Sequence, residues 1–185
     1  MRLLSATVSV GLFALFTAAC GRTPTAPDPV AALPPGTHQS AIVALTGTGA
    51  GGVSVTPKAI ATATFDADIS VSIQKARPNT TYFVQRAPEI GRTLGSDGVC
   101  QRALGLSPWS AADPAAPAFI TFLMPNAGPA VTVTTSAAGS ASLSFAFAAP
   151  TIPAGTLFDV MFRLVDNEST PTTELRSQCF SVLVK

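Results

Sequence analysis

Apolar and polar residues alternate along most of the chain after Ser40, and this alternation is its strongest pattern. It is clearest in residues 69–73, 143–147 and 158–164, where every second side chain is apolar. Such a segment has one apolar and one polar face, as a strand of an antiparallel sheet does. Weaker segments of the same kind are residues 41–47, 53–57, 59–65, 81–86, 119–124, 130–135 and 178–184.

Turn-forming residues separate these segments, and no stretch has the spacing of an amphipathic helix of three turns. Clusters of Gly, Pro, Asn and Asp mark turns at 49–52, 78–79, 125–126, 138–139, 153–155 and 166–167. Many short strands with apolar faces to bury predict an all-β fold. We therefore expect an antiparallel β-sandwich over residues 37–185, with a barrel as the alternative.

Residues 76–82, ARPNTTY, resemble the corner of fibronectin type III and related immunoglobulin-like sandwiches. In those domains the corner leads the chain from one sheet to the other. The resemblance implies that the hydroxyl of Tyr82 donates a hydrogen bond back to the main chain.

The first 19 residues have the layout of an export signal. Arg2 is followed by an uncharged, largely apolar run over residues 3–16 and by small residues at 17–19. We expect a signal helix over residues 1–19 that is removed on export. A retained membrane-anchoring helix is the alternative.

Residues 16–20, FTAAC, resemble the lipobox of bacterial lipoproteins. The resemblance implies that the Cys20 thiol receives a diacylglycerol and that cleavage makes Cys20 the first residue. Ordinary signal-peptide cleavage after residues 17–19 is the alternative. Lipidation would hold the exported protein on a bacterial membrane, on the periplasmic side or at the cell surface, because each buried methylene contributes about 0.8 kcal/mol.

Residues 20–36 contain five prolines, at positions 24, 27, 29, 34 and 35. Proline restricts φ and removes amide donors, so this composition favours extended conformations. We interpret residues 20–36 as the lipidated cysteine followed by a linker.

Cys100 and Cys179 are predicted to form a disulfide. Neither lies in a CxxC motif or has a neighbouring histidine, which argues against zinc or redox catalysis. Their pairing leaves Cys20 as a single thiol in an oxidising compartment, and lipidation would consume it.

The disulfide would also restrain residues 88–117, the least regular part of the body. This segment is a candidate binding loop because long loops in compact domains are often functional. Its candidate residues are Arg92, Asp97, Arg102 and Trp109. Trp109 has two interpretations, a binding platform or a plug over one end of the core.

Composition excludes several classes of function. Charged residues make up 11% of the chain and the formal net charge is +1, so the basic surface that nucleic-acid binding needs is missing. The only histidine, His38, lies at the junction of the linker and the body, far from any acid that could complete a catalytic triad. Asp66 and Asp68 are spaced to contact calcium, but a solvated strand face explains them better. We predict no metal and no cofactor.

The sequence favours a non-catalytic binding or structural module of the cell envelope. It would contact the membrane through its anchor and an envelope protein or glycan through its loops or a sheet edge. One alternative is a carrier whose cavity is lined by some of Phe65, Phe83, Phe119, Phe122, Phe145, Phe147, Phe158 and Phe162. The other is a hydrolase with two carboxylates from Asp159, Asp166, Glu168 and Glu174.

Overall fold

The computed structural model describes residues 36–59, 65–105, 118–125, 127–149 and 151–185. The predictions for the signal helix, Cys20 and most of the linker lie outside these residues, and so does Trp109. Within the described residues no helix has the length and apolar character needed to cross a membrane.

The described chain is built almost entirely of antiparallel strands, which confirms the prediction of an all-β fold. The helix is α1 (Gln101–Leu104), and the strands are β1 (His38–Thr46), β2 (Ala50–Pro57), β3 (Phe65–Gln74), β4 (Thr81–Pro88), β5 (Ile120–Thr121), β6 (Thr132–Thr134), β7 (Ala141–Ala149), β8 (Leu157–Val165), β9 (Glu174–Ser177) and β10 (Phe180–Leu183).

The strands form one curled sheet in the order β5-β4-β8-β9-β1-β2-β3-β7. Strand β10 adds to the first half of β8, and β6 adds to β4. The curl brings the two ends of the sheet together, because Phe122, next to β5, packs against Phe145 and Phe147 of β7 with ring centroids 5.1 Å apart in both pairs.

The main core lies on the inner face of this curl. The register places Val53, Val71 and Leu143 side by side, so the alternating apolar positions of β2, β3 and β7 share one face. The predicted alternation in β3 is confirmed, since its apolar residues are buried and its polar residues are more exposed.

Strand β8 departs from the predicted alternation because nearly all of its residues are buried. Its inner face joins the main core, whereas Asp159 and Met161 on the outer face were expected to face solvent. A second apolar cluster covers that outer face. Its members are Ala87, Cys100, Ala103, Phe119, Met161 and, partly buried, Cys179. The chain between β4 and β5 supplies much of this cover.

The corner after β3 is bonded differently from the fibronectin resemblance. Tyr82 is fully buried, and its hydroxyl has no hydrogen-bond partner among the described residues. The side chain of Thr135 makes the connection instead: its Oγ1 donates to the carbonyl of Arg77 at 2.6 Å and accepts from the amide of Thr80 at 2.9 Å. The hydrogen bond that the resemblance implied for Tyr82 is therefore not found here.

The turn between β8 and β9 is organised by Asp166. Its Oδ1 accepts hydrogen bonds from the amides of Thr172, at 2.9 Å, and Thr173, at 3.0 Å, and its Oδ2 accepts one from the hydroxyl of Thr172. Burial alone would raise the pKa of Asp166, but these hydrogen bonds outweigh it and lower the pKa to about 2.

We expect Asp166→Asn to destabilise the protein at neutral pH by about 1–2 kcal/mol, since an uncharged amide accepts these bonds more weakly. The pKa of Asp166 is lower in the folded protein than its value near 4 in the unfolded chain. Ionised Asp166 therefore stabilises the fold above about pH 4, and this contribution is lost as pH falls towards 2. The difference between wild type and variant should thus vanish at about pH 2. Urea unfolding across this pH range measures it.

Asp68→Asn is the matched control, because Asp68 is exposed and forms a surface ion pair with Lys58 at 2.7 Å. Such pairs contribute about 0–1 kcal/mol. Equal losses in the two variants would contradict the role given to Asp166.

Candidate functional site

The candidate site is the part of the predicted loop that the structure describes, residues 89–105, which we call the anchored segment. It follows β4 directly and lies over the outer face of β8. It contains three of the four candidate residues, Arg92, Asp97 and Arg102.

A disulfide joins the anchored segment to the C-terminal strands. The sulfur atoms of Cys100 and Cys179 are 2.11 Å apart and their Cα atoms 5.5 Å apart, which confirms the predicted pair. Cys100 belongs to the segment and is fully buried. Helix α1 begins at the next residue and ends at Leu104, and Gly105 caps it with a left-handed φ of 67° that suits glycine.

Two buried carboxylates hold the remainder of the segment, and Glu89 and Asp159 are only 1% and 0% exposed. The Asp159 carboxylate accepts hydrogen bonds from the amide of Gly98 at 2.6 Å and from the hydroxyl of Ser181 at 2.5 Å. The Glu89 carboxylate accepts one from the amide of Arg102 at 2.6 Å. Asp159 on β8 and Glu89, the residue after β4, thus bind the segment at Gly98 and at Arg102.

Main-chain contacts tighten the same attachment. The amide of Glu89 donates to the carbonyl of Asp159 at 2.9 Å, and the amide of Asp159 donates to the carbonyl of Gly95 at 2.6 Å. A Cβ atom at Gly95 would lie 2.0 Å from the carbonyl oxygen of Glu89, so any larger residue would displace the backbone.

The charged candidates predicted for ligand binding mostly shape the segment. Asp97 accepts hydrogen bonds from the amide of Val99 and from Nε2 of Gln101, both at 2.9 Å. Arg102 is half-buried and donates to the carbonyl of Pro88 at 3.3 Å. Arg92 is exposed. The side chains that the segment turns to solvent include three apolar ones, Leu94, Val99 and Leu104, with exposed fractions between 41% and 52%.

Glu89 is the residue of this site that sequence analysis missed. Burial raises its pKa, and the nearby Asp159 and Asp97 carboxylates raise it further, against the opposing effect of the hydrogen bond from Arg102. No sequence signal marks Glu89, because it looks like an ordinary surface acid at the end of a strand.

The acids named for a hydrolase do not form one group. Asp159 lies under the anchored segment, Asp166 bonds its own turn, and Glu168 accepts a hydrogen bond from Thr121. Glu174 pairs with Arg163 at 3.1 Å and with Arg176. Asp66 and Asp68 share Lys58, and the described residues contain no group of three or more metal-binding side chains.

The phenylalanines named for a carrier mostly pack against one another. Five of them, Phe65, Phe122, Phe147, Phe158 and Phe162, line a cavity of about 70 Å³ within the main core. The guanidinium of Arg86 lies 4.3 Å from the ring centroids of Phe122 and Phe147, and burial together with the charge of Arg102 lowers its pKa to about 10. Ligand pockets usually measure about 300–1,000 Å³, so this cavity is much smaller than a carrier needs.

Comparison of the chain with known proteins finds no matching family model, no similar curated protein and no similar solved structure.

We expect Glu89→Gln and Glu89→Ala to have different effects. The pKa of Glu89 is higher in the folded protein than in the unfolded chain. Protonated Glu89 therefore stabilises the fold at pH values below the unfolded pKa, and this contribution is lost as pH rises through the folded pKa. Glutamine carries no charge and keeps an acceptor for the amide of Arg102, so Glu89→Gln should match wild type in acid and be at least as stable at pH 7.

Glu89→Ala leaves that amide unpaired and should cost about 1–3 kcal/mol in acid, with a smaller cost relative to wild type as pH rises, because the wild type itself loses the contribution of protonated Glu89. Denaturant unfolding between pH 4 and 8 separates the two variants. A Glu89→Gln protein whose stability relative to wild type falls as pH rises would contradict this account.

Proposed function

We propose that this protein is an exported bacterial lipoprotein that acts as a non-catalytic binding module of the cell envelope. Its body would be an immunoglobulin-like β-sandwich, held at a membrane by lipidated Cys20 through the linker of residues 20–36. The curled sheet with aromatic side chains packed between its ends supports a sandwich. The composition of residues 1–36 supports export and anchoring.

The observation that carries the binding role is the attachment of the anchored segment. A disulfide and two buried carboxylates hold its backbone in place, while Leu94, Val99 and Leu104 remain exposed. A rigid segment loses little conformational entropy when it binds, so its contacts translate more fully into affinity. Exposed apolar side chains of this kind suit a protein partner.

Neither alternative function gains comparable support. A carrier requires a larger cavity than the one in the main core. A hydrolase requires two neighbouring carboxylates that a substrate can reach. Asp159 is buried under the anchored segment, and separate partners bind the other candidate acids, Asp166, Glu168 and Glu174.

Lipidation can be tested directly on the N-terminus of the mature protein. We expect mass spectrometry to show Cys20 as the first residue, carrying acyl chains, and cell fractionation to place the wild type with membranes. Cys20→Ala should leave the membrane fraction, because the acyl chains supply the membrane affinity. An unmodified Cys20 thiol, or a Cys20→Ala protein that stays with membranes, would refute the anchoring.

The binding role is tested by in-cell crosslinking followed by mass spectrometry. We expect Leu94→Ser combined with Val99→Ser to reduce capture of a partner protein at least about tenfold, since both side chains would leave the interface. The control is Val43→Ser combined with Leu45→Ser, which removes two apolar residues of β1 that are even more exposed than Leu94 and Val99. Capture that is unchanged in the first variant, or lost equally in both, would contradict the proposed surface.

A further inference from the structure

Strand β7 is the last strand of the sheet, and it is long and regular. It pairs with β3 through nine consecutive residue pairs, from Phe65 opposite Ala149 to Ile73 opposite Ala141, without a bulge. Among the described residues no strand pairs with its other edge. The main-chain donors and acceptors along that edge are therefore available to another strand.

Strand β7 lacks the features by which proteins protect an exposed edge. Its sequence, ASLSFAFAA, contains no charged residue and no proline. At the opposite end of the sheet the strands are short, with two residues in β5 and three in β6. Within the described part of the chain, the sheet thus ends in one protected and one unprotected edge.

The inner side chains of β7 are incompletely covered. Leu143, Phe145 and Phe147 pack against the main core but are only partly buried. The outer side chains are small: Ser142, Ser144, Ala146 and Ala148. A second strand laid beside β7 would bury more of the three large residues and meet only small ones on the other face.

We propose that β7 pairs antiparallel with β7 of a second copy of this chain, so that two sheets join into one across a two-fold axis at Phe145. In this register Leu143 faces Phe147 of the second copy, and Phe145 faces its own equivalent. On the outer face Ser144 lies opposite Ala146, and Ser142 lies opposite Ala148. The inner-face pairs are all apolar, the outer-face pairs join a serine with a small alanine, and the pairing buries no charge.

The near-symmetry of the strand about Phe145 favours a second copy over an unrelated partner. Reading outward from Phe145, the inner positions are large and apolar on both sides and end in Ala141 and Ala149. A shift of one residue would place the inner apolar side chains opposite the outer ones, and a shift of two residues would leave fewer of the nine residues paired, so the register centred on Phe145 pairs the whole strand. The assembly stops at two copies because both unprotected edges are consumed.

Sedimentation equilibrium of the full chain in a density-matched detergent tests this pairing over a hundredfold range of concentration. We expect a dimer for the wild type. Ser144→Lys combined with Ala146→Lys places like charges opposite each other across the axis and should weaken the dimer at least about tenfold. Ser144→Glu combined with Ala146→Lys places opposite charges there and should restore it.

Gln39→Lys combined with Ala41→Lys is the control, because both residues are exposed on the outer face of β1, three strands away from the β7 edge. This control should dimerise like the wild type, and unfolding curves establish that all variants fold. A monomeric wild type, an assembly larger than a dimer, or a dimer that the paired lysines on β7 leave unchanged would each overturn the proposal. None of these results depends on whether Cys20 is lipidated.

Discussion

The outer face of strand β8 needs to be covered, and this requirement organises the part of the molecule around it. Asp159 and Met161 project from that face, and both are buried. A carboxylate removed from water is costly unless hydrogen bonds replace its solvation. Gly98 and Ser181 supply those bonds to Asp159, and Arg102 supplies one to Glu89. The anchored segment must adopt one backbone conformation to place these donors, and the disulfide between Cys100 and Cys179 fixes the segment to the C-terminal strands.

As a result, the sheet has two differently built regions. Around β4 and β8 the outer face is covered, and the covering segment presents apolar side chains to solvent. From β2 to β7 the outer face includes a row of small polar residues, Ser54, Ser70 and Ser144, and the sheet ends at the free edge of β7. The two proposed contacts therefore use separate surfaces. An anchor at Cys20 would confine copies to one membrane and raise their effective concentration, which would favour pairing through β7.

Sequence patterns predicted the strands best where one face is buried. The alternation of β3 and β7 survives because only their inner faces are covered, whereas β8 was misread because its outer face is covered as well. Strand β9 (Glu174–Ser177) was missed, since four residues are too few to show a period. The resemblance of residues 76–82 to a fibronectin type III corner implied a hydrogen bond from Tyr82 to the main chain. In the structure the side chain of Thr135 makes the hydrogen bonds at this turn instead.

The sequence by itself determined the all-β class and the pairing of Cys100 with Cys179, because alternation is a local property and cysteine number needs only the composition. Only the tertiary structure decided that Glu89 and Asp159 are buried, that Asp97 shapes its own loop, and that β7 lies at the edge. These facts depend on which residues meet across the curled sheet. An acid in a sequence looks the same whether solvent or a covering segment lies above it.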